Sequence, residues 1–589
     1  MKKLGIILIA LMLAGGGVQA RTAEAETDWV AESNANADVL LKVLSKYAPE
    51  QAGQLGVDGF DEDVFDLKPK LTERANADTA KAVAELEKRL ASTEHPLVRQ
   101  DLEILIQAGK DGMEGAELNE KYLIPYFNIS NTVFNGLRAL LDPQIPAERR
   151  QAALVRLRKY AGLEEGYEPI VELAKDRSSE RFGITGVMGP YTGQLETDLN
   201  SASRFIDGIA ELFQRFEMEG WEEPYAILKG QLESYNEWLA TEMMEQARED
   251  HRLPYELYAF GLKQWGTDLD PRLLIDRAQV AYLEIRNEMD AMAPLVAAER
   301  GWDLSDYRDV IRALKEEQFV GEEILARYQD TLVKIEEMIR DNHIVSLPAR
   351  DASIRLASEA ESANIPAPHL RPPRLIGNTG EYAEFVLPLN IPAPEGREDM
   401  KLDDFTHQAM AWTLTAHEAR PGHELQFSTM LETGVSTARA VFAFNSVNVE
   451  GWALYAEAEM KPYFPLDGQL IGLQSRMLRA ARAFLDPMVN LGEMTPDEVQ
   501  AFLEKEVMLS KAAATSERER YTFRMPGQAT AYFYGYSKLM ELRAKTEIAL
   551  GDKFNRQAFH DFILAQGLLP PELLAKAVLE SFVPQQMGG

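Results

Sequence analysis

Apolar residues recur along most of this chain at the three-and-four spacing of one helical face. From Pro271 to about Met292 they fall at Leu274, Ala278, Ala281, Tyr282, Ile285 and Met289, with Asp270 and Pro271 suited to the cap and first turn of that helix. Leu325, Tyr328, Leu332, Ile335 and Ile339 form a second stripe. The same period covers most of 29–48, 71–110, 147–175, 201–248, 468–490 and 527–548. Stripes of this kind are core faces of amphipathic helices. The pattern breaks between Ile365 and Pro394. Prolines cluster there with Gly377 and Gly380, and Tyr382-Ala383-Glu384-Phe385-Val386-Leu387 reads as a short strand or hairpin. The expected fold is mainly α, with a helical N-terminal lobe over 21–365 and a second lobe, carrying the chemistry, over 366–589.

Composition narrows the field of partners. Of the 589 residues 46% are apolar and 26% charged, as in ordinary globular proteins. Against 62 basic residues stand 94 acidic ones, a formal net charge of −32. A surface this negative repels nucleic acid and anionic lipid, so neither is expected as a partner.

The amino terminus has the order of a secretory signal peptide. Lys2 and Lys3 precede an apolar run from Leu4 to Leu13, and small residues lead to Val18-Gln19-Ala20. About ten apolar residues are too few to span a hydrocarbon layer of roughly 30 Å, so cleavage after Ala20 is expected. There is no cysteine, hence no thiol for a lipid anchor and no disulfide framework. These features predict a periplasmic or secreted protein without a membrane anchor.

Two of the eight histidines, His417 and His423, lie six residues apart in His417-Glu418-Ala419-Arg420-Pro421-Gly422-His423. A zinc hydrolase needs neutral imidazoles on one side of the ion, an open position for water, and a carboxylate beside that water. The common solution spaces its histidines i,i+4 on one helix face. At i,i+6 a regular helix points His423 well away from His417. Pro421, without an amide hydrogen, and Gly422, with its conformational freedom, are suited to bulging the backbone and restoring the direction. The competing reading is a surface helix end with two unrelated histidines.

Downstream lies Glu450-Gly451-Trp452-Ala453-Leu454-Tyr455-Ala456-Glu457. Glu450 and Glu457 share a helix face yet stand about 10 Å apart along its axis, so both cannot lie ~2 Å from one ion. One is a ligand and the other at most supports it. A solvated acidic face suits Glu459 better. A third block, Arg524-Met525-Pro526-Gly527-Gln528-Ala529-Thr530-Ala531-Tyr532, offers Tyr532 and Arg524 as groups that stabilise a developing oxyanion, although aromatic clusters ordinarily pack cores.

His-Glu-Ala-Arg-Pro-Gly-His-Glu-Leu-Gln (417–426), Glu-Gly-Trp-Ala-Leu-Tyr-Ala-Glu (450–457) and Pro-Gly-Gln-Ala-Thr-Ala-Tyr (526–532) together resemble the signature blocks of the bacterial proteins called domain of unknown function 885, grouped with gluzincin-type zinc peptidases. Tyr47-Ala48-Pro49-Glu50 with Gly56 is similar to the family's start. The resemblance implies a two-lobed, mostly helical zinc-peptidase-like fold with a deep cleft and a small β edge element. It implies His417, His423 and Glu450 as metal ligands and Glu418 as base. The strand near Phe385 is similar to the cleft-edge strand of such peptidases, where a substrate backbone pairs.

The reading is therefore a Zn2+-dependent peptidase acting on peptides. Zinc would polarise the scissile carbonyl and activate water, and Glu418 would move the proton. Glu457 would orient a ligand histidine or shape the cleft, and Gln426, one turn past His423, either faces the site or is solvated. The rival readings are an exported binding protein with a non-catalytic metal site, and hydrolysis of a non-peptide amide by the same residues. A structural zinc is normally closed by four protein ligands, often cysteine. Three obvious ligands plus a glutamate placed as base favour catalysis.

Overall fold

The computed structural model describes residues 16–357, 361–362, 365, 367–388 and 402–588, with side chains from Trp29 onward. Lys2, Lys3 and the apolar run to Leu13 lie outside the described residues, as do residues 389–394 of the sequence break. The fold is mainly helical. Among the described residues no helix is long and apolar enough to cross a membrane.

Helices α1 (Gly16–Tyr47), α2 (Leu71–Ser92) and α3 (Pro96–Tyr122) close on a core of Leu40, Val83, Leu86, Leu102 and Leu105. The apolar period over 71–110 is carried by two helices. Pro96 sits in the first turn of α3, where its missing N–H costs nothing, and it could not have continued α2. A second core gathers Val133, Phe134, Leu157, Leu232 and Tyr235 around Ile209 and Phe213 of α4 (Thr192–Arg215).

Helix α5 (Pro271–Arg300) starts where its sequence signals place it. The Asp270 carboxylate accepts from the backbone N–H groups of Arg272 and Leu273, at 2.9 and 3.4 Å. Its stripe of Leu274, Ala278, Tyr282, Ile285 and Met289 is buried against Leu473, Met477, Ala480 and Phe484. In α6 (Glu323–Asp341), Tyr328 and Leu332 share a core with Phe385, Ala411 and Ala419, while Ile335 and Ile339 share one with Trp412, Leu425 and Trp452. The helices over 271–341 thus pack in common cores with residues beyond 405.

The small sheet has the order β1 (Ser353–Leu356), β3 (Glu384–Leu387), β2 (His369–Arg371). Ile354 pairs with Phe385 in the parallel ladder and Leu370 with Phe385 in the antiparallel one. This corrects the sequence expectation for the strand near Phe385: β3 is central, both its edges are taken, and the outer strands among the described residues are β1 and β2. Those strands have only four and three residues and carry Arg355, His369 and Arg371, so their polar–apolar alternation is too short to mark them in the sequence. Phe385 is fully buried and meets the Tyr328 ring edge-on at 5.6 Å.

Beyond the sheet come α7 (Gln408–Glu418), α8 (His423–Thr433), α9 (Ser446–Met460), α10 (Leu466–Asn490) and α11 (Ala531–Leu550). Helix α9 is buried on nearly every side, as expected of a helix enclosed by others. Its cap is Asn445, which accepts from the Asn448 N–H at 2.8 Å. It crosses α11 at contact distance through two glycines. A Cβ on Gly451 would fall 2.6 Å from the Gly535 backbone, and one on Gly535 only 2.0 Å from the Val447 carbonyl oxygen. Burial of α9 gives its glutamates a physical problem, since carboxylates out of water need partners.

Candidate metal centre

The His-Glu-x-x-x-x-His segment is two helices and a corner. Helix α7 ends at Glu418 and α8 begins at His423, so each histidine stands at a helix end, and residues 419–422 turn the chain between them. The sequence expectation of a bulge inside one helix is replaced by a full break. Gly422 is required by close approach: a Cβ there would lie 1.8 Å from the His417 carbonyl oxygen and 2.4 Å from that of Ala416. The Arg420–Pro421 peptide is cis. Arg420, almost wholly buried, pins the corner by donating to Glu424 at 2.7 Å, Glu336 at 2.6 Å and the Arg350 carbonyl at 2.6 Å. Trp452 Nε1 of α9 donates to the Pro421 carbonyl at 2.9 Å, tying the corner to the helix that bears the glutamates.

The corner brings the two imidazoles together, 4.8 Å between centroids and nearly perpendicular. Glu450 Oε2 lies 3.3 Å from His423 Nε2 and 3.5 Å from His417 Nε2. One ligand atom from each of the three residues falls within 4.8 Å of the others. In a tetrahedral site with bonds of about 2.0–2.2 Å, ligand atoms stand about 3.3–3.5 Å apart, which the two distances from Glu450 to the histidines match. Glu450 Oε2 and His423 Nδ1 are buried without a hydrogen-bond partner among the described residues. A bound cation would satisfy the first of these.

Glu457 approaches His417 from the other side. Its Oε1 accepts from His417 Nδ1 at 2.7 Å, and its Oε2 accepts from Thr413 Oγ1 at 2.9 Å. Arg479 Nη2 lies 3.3 Å from Oε1. With Nδ1 turned to Glu457, Nε2 is the nitrogen that faces Glu450, free to coordinate once a metal displaces its proton. Burial works against charge on His417, but the neighbouring carboxylates of Glu450 and Glu457 raise its pKa to about 9. Burial likewise opposes ionisation of Glu450, and the two histidines overcome it and hold its carboxyl well below the usual range. The pocket is built to receive positive charge.

Glu418 is buried, with Oε1 4.0 Å from His417 Nε2. It therefore flanks the nitrogen that faces Glu450. Tyr532 joins the centre: its ring lies nearly parallel to that of His417, with centroids 6.2 Å apart, and its hydroxyl accepts from Arg520 Nη2 at 2.9 Å. Arg524 does not join it. Its guanidinium is half-exposed and pairs with Glu519 at 2.8 Å. The arginines around Tyr532 are Arg482, Arg520 and Arg479, at 4.5, 5.3 and 5.8 Å from the ring centroid. None stands out in the sequence, because Arg479 and Arg482 belong to an amphipathic helix and Arg520 precedes the conspicuous block. Gln426 is buried against Asn448, to which it donates at 2.9 Å, and not against a ligand atom. Glu459 pairs with Arg543.

The family described as "Bacterial protein of unknown function (DUF885)" matches residues 49–578. The chain belongs to this family. Two solved structures share the fold of this DUF885 protein. A "putative lipoprotein" from Colwellia psychrerythraea is similar with a TM-score of 0.72 and 17% identity, over 94% of this chain and 99% of that one. A "putative lipoprotein of unknown function" from Shewanella oneidensis gives 0.69 and 18%, over 93% and 98%. No curated protein matches the DUF885 chain.

Proposed function

We propose that the protein is an exported zinc-dependent peptidase of the gluzincin type, with His417, His423 and Glu450 as ligands. The observation that carries this reading is the convergence of His417 Nε2, His423 Nε2 and Glu450 Oε2, with Glu418 beside the same face. Two imidazoles and one carboxylate leave an open coordination position, as catalytic zinc sites do. Zinc, when bound, polarises the scissile carbonyl and makes water nucleophilic at neutral pH.

The chain's own groups supply the rest. Glu418 takes a proton from the attacking water and returns it to the leaving amine nitrogen. The Tyr532 hydroxyl already accepts from Arg520, so its own proton is directed elsewhere and stabilises negative charge as it grows on the former carbonyl oxygen. Glu457 holds His417 in the tautomer and orientation that coordination needs. Export is supported by Lys2-Lys3, the apolar run and Ala20, and agrees with the description of the two similar proteins as lipoproteins.

The test is metal analysis followed by digestion of a broad peptide library. About one zinc per chain and defined cleavage products are expected. A chain that holds zinc and cleaves no peptide is a binding protein or acts on another amide, and the peptidase reading falls.

A further inference from the structure

The wall of the centre formed by α10 and the turn Arg520–Arg524 runs against the charge of the whole molecule. In a chain of net charge −32, three guanidinium groups gather on one phenol ring: Arg482 at 4.5 Å, Arg520 at 5.3 Å and Arg479 at 5.8 Å from the centroid of Tyr532. They share two carboxylates. Glu517 takes Arg482 through Nε and Nη2 at 2.8 and 2.6 Å and has Arg520 at 3.4 Å. Glu457 has Arg479 at 3.3 Å but also serves His417. Arg482 is a buried side chain whose Nη1 has no hydrogen-bond partner among the described residues. Arg520 keeps part of its side chain at the surface, with a relative exposure of 19%.

Charge and distance together select a ligand. With a zinc dication, the three arginines face four carboxylates, those of Glu418, Glu450, Glu457 and Glu517, which leaves a single positive charge. One carboxylate neutralises it. The Tyr532 ring lies 6.2 Å from the His417 ring and 4.5 Å from the Arg482 guanidinium. The gap from His417 to Arg482 is therefore at most roughly 11 Å, which one to three residues of extended chain at ~3.3–3.6 Å each can span.

Resting on the peptidase reading above, we propose that Arg482 and Arg520 seat the free C-terminal carboxylate of the substrate, so that the protein is a carboxypeptidase releasing one to three residues. The C–N bond of the scissile peptide breaks. The hydroxyl of water goes to the carbonyl carbon, and its proton, with the one already on nitrogen, leaves on the amine of the released fragment. Arg482 and Arg520 are positioning residues: Arg482 Nε and Nη2 are held by Glu517, and Arg520 by Glu517, Gln528 and Tyr532, so Arg482 Nη1 is the donor left for a carboxylate and Arg520 adds its charge.

The experiment compares one peptide as its free acid and as its C-terminal amide. Calorimetric titration of the Glu418→Gln chain measures binding without turnover, and mass spectrometry of products from the zinc-loaded wild type measures cleavage. The acid is expected to bind about 10- to 100-fold more tightly, the loss typical of a charge-assisted hydrogen bond, and to lose one to three terminal residues. Arg482→Lys, which keeps a cation beside Glu517, is expected to raise KM for the acid about tenfold with a smaller change in kcat. Equal binding of acid and amide overturns the carboxylate seat whatever the turnover, and it decides the matter even if Arg482→Lys fails to fold. Cleavage at internal bonds regardless of the terminus overturns it while the peptidase reading survives. Preferential binding of the acid with no hydrolysis of either form removes the peptidase reading, and the carboxypeptidase assignment with it.

Discussion

Glu457 holds His417 from behind: its carboxylate accepts the Nδ1 proton at 2.7 Å, deep in the molecule, while His417 Nε2 faces Glu450 at 3.5 Å. The two glutamates of α9 thus act on opposite nitrogens of one ring. Glu457 is further held by Thr413 and Arg479, so the imidazole is set before any ligand arrives.

Removing the two glutamates should have unequal effects on metal. Glu450→Ala deletes a proposed ligand atom and is expected to abolish tight zinc binding. Glu457→Ala frees the His417 ring and should weaken affinity about 10- to 100-fold, the range for groups that support a ligand. Zinc titration against a competing chelator reads both, and a Glu457→Ala chain that loses metal while Glu450→Ala retains it would reverse the assignment. Stripping zinc from the wild type should also lower Tm, because the ion binds the folded state.

Glu418→Gln separates catalysis from metal binding. The amide keeps the shape and removes the basic oxygen beside His417 Nε2. Zinc content and Tm are expected to match the wild type, while kcat on any cleaved peptide falls about 10²- to 10⁴-fold. A metal-replete variant with near-normal kcat would take Glu418 out of the reaction.

Gly422→Ala tests the corner. Its methyl would meet the His417 and Ala416 carbonyl oxygens at 1.8 and 2.4 Å, so α7 and α8 must move apart. Overpacking of this kind costs about 1–3 kcal/mol or more, and the separation of the two histidines should change with it. Denaturant unfolding and zinc titration are the measurements. Unaltered stability and affinity would show that the corner relaxes freely.

Asp486 makes stability depend on pH. Burial drives its pKa up to about 7, although Tyr258, the Gly527 N–H and Asn490 all donate to it. The unfolded carboxyl titrates near 3.9, so between about pH 4 and pH 7 the folded chain keeps a proton that the unfolded chain has released. The favourable contribution is complete below about pH 4 and is lost as pH rises through 7. Asp486→Asn should remove this fall. Urea unfolding of both chains from pH 4 to 8 checks it, and parallel curves would mean that Asp486 does not titrate in that window.

Local information carried far in this protein. Asp270 caps α5, the stripes of α5 and α6 are buried, and the family blocks at 417–426, 450–457 and 526–532 meet at one centre. Each depends on residues close in sequence or on residue type, and propensity, capping and apolar period act at that range. Where the signal was short or charged it failed. The three-residue β2 and four-residue β1 alternate over too few positions to be recognised, so the central position of β3 emerged only from pairing.

The sequence by itself determined the helical class, the two histidines, and a choice between two glutamates seven residues apart. Tertiary structure decided that Glu450 faces both histidines while Glu457 backs one of them, and that Arg520, Arg482 and Arg479 surround Tyr532 while Arg524 lies outward. The physical reason is that these relations join residues on different helices. They depend on how closely α9 and α11 cross at Gly451 and Gly535 and on the direction the chain leaves the corner at Gly422, and no periodicity along a single helix encodes either distance.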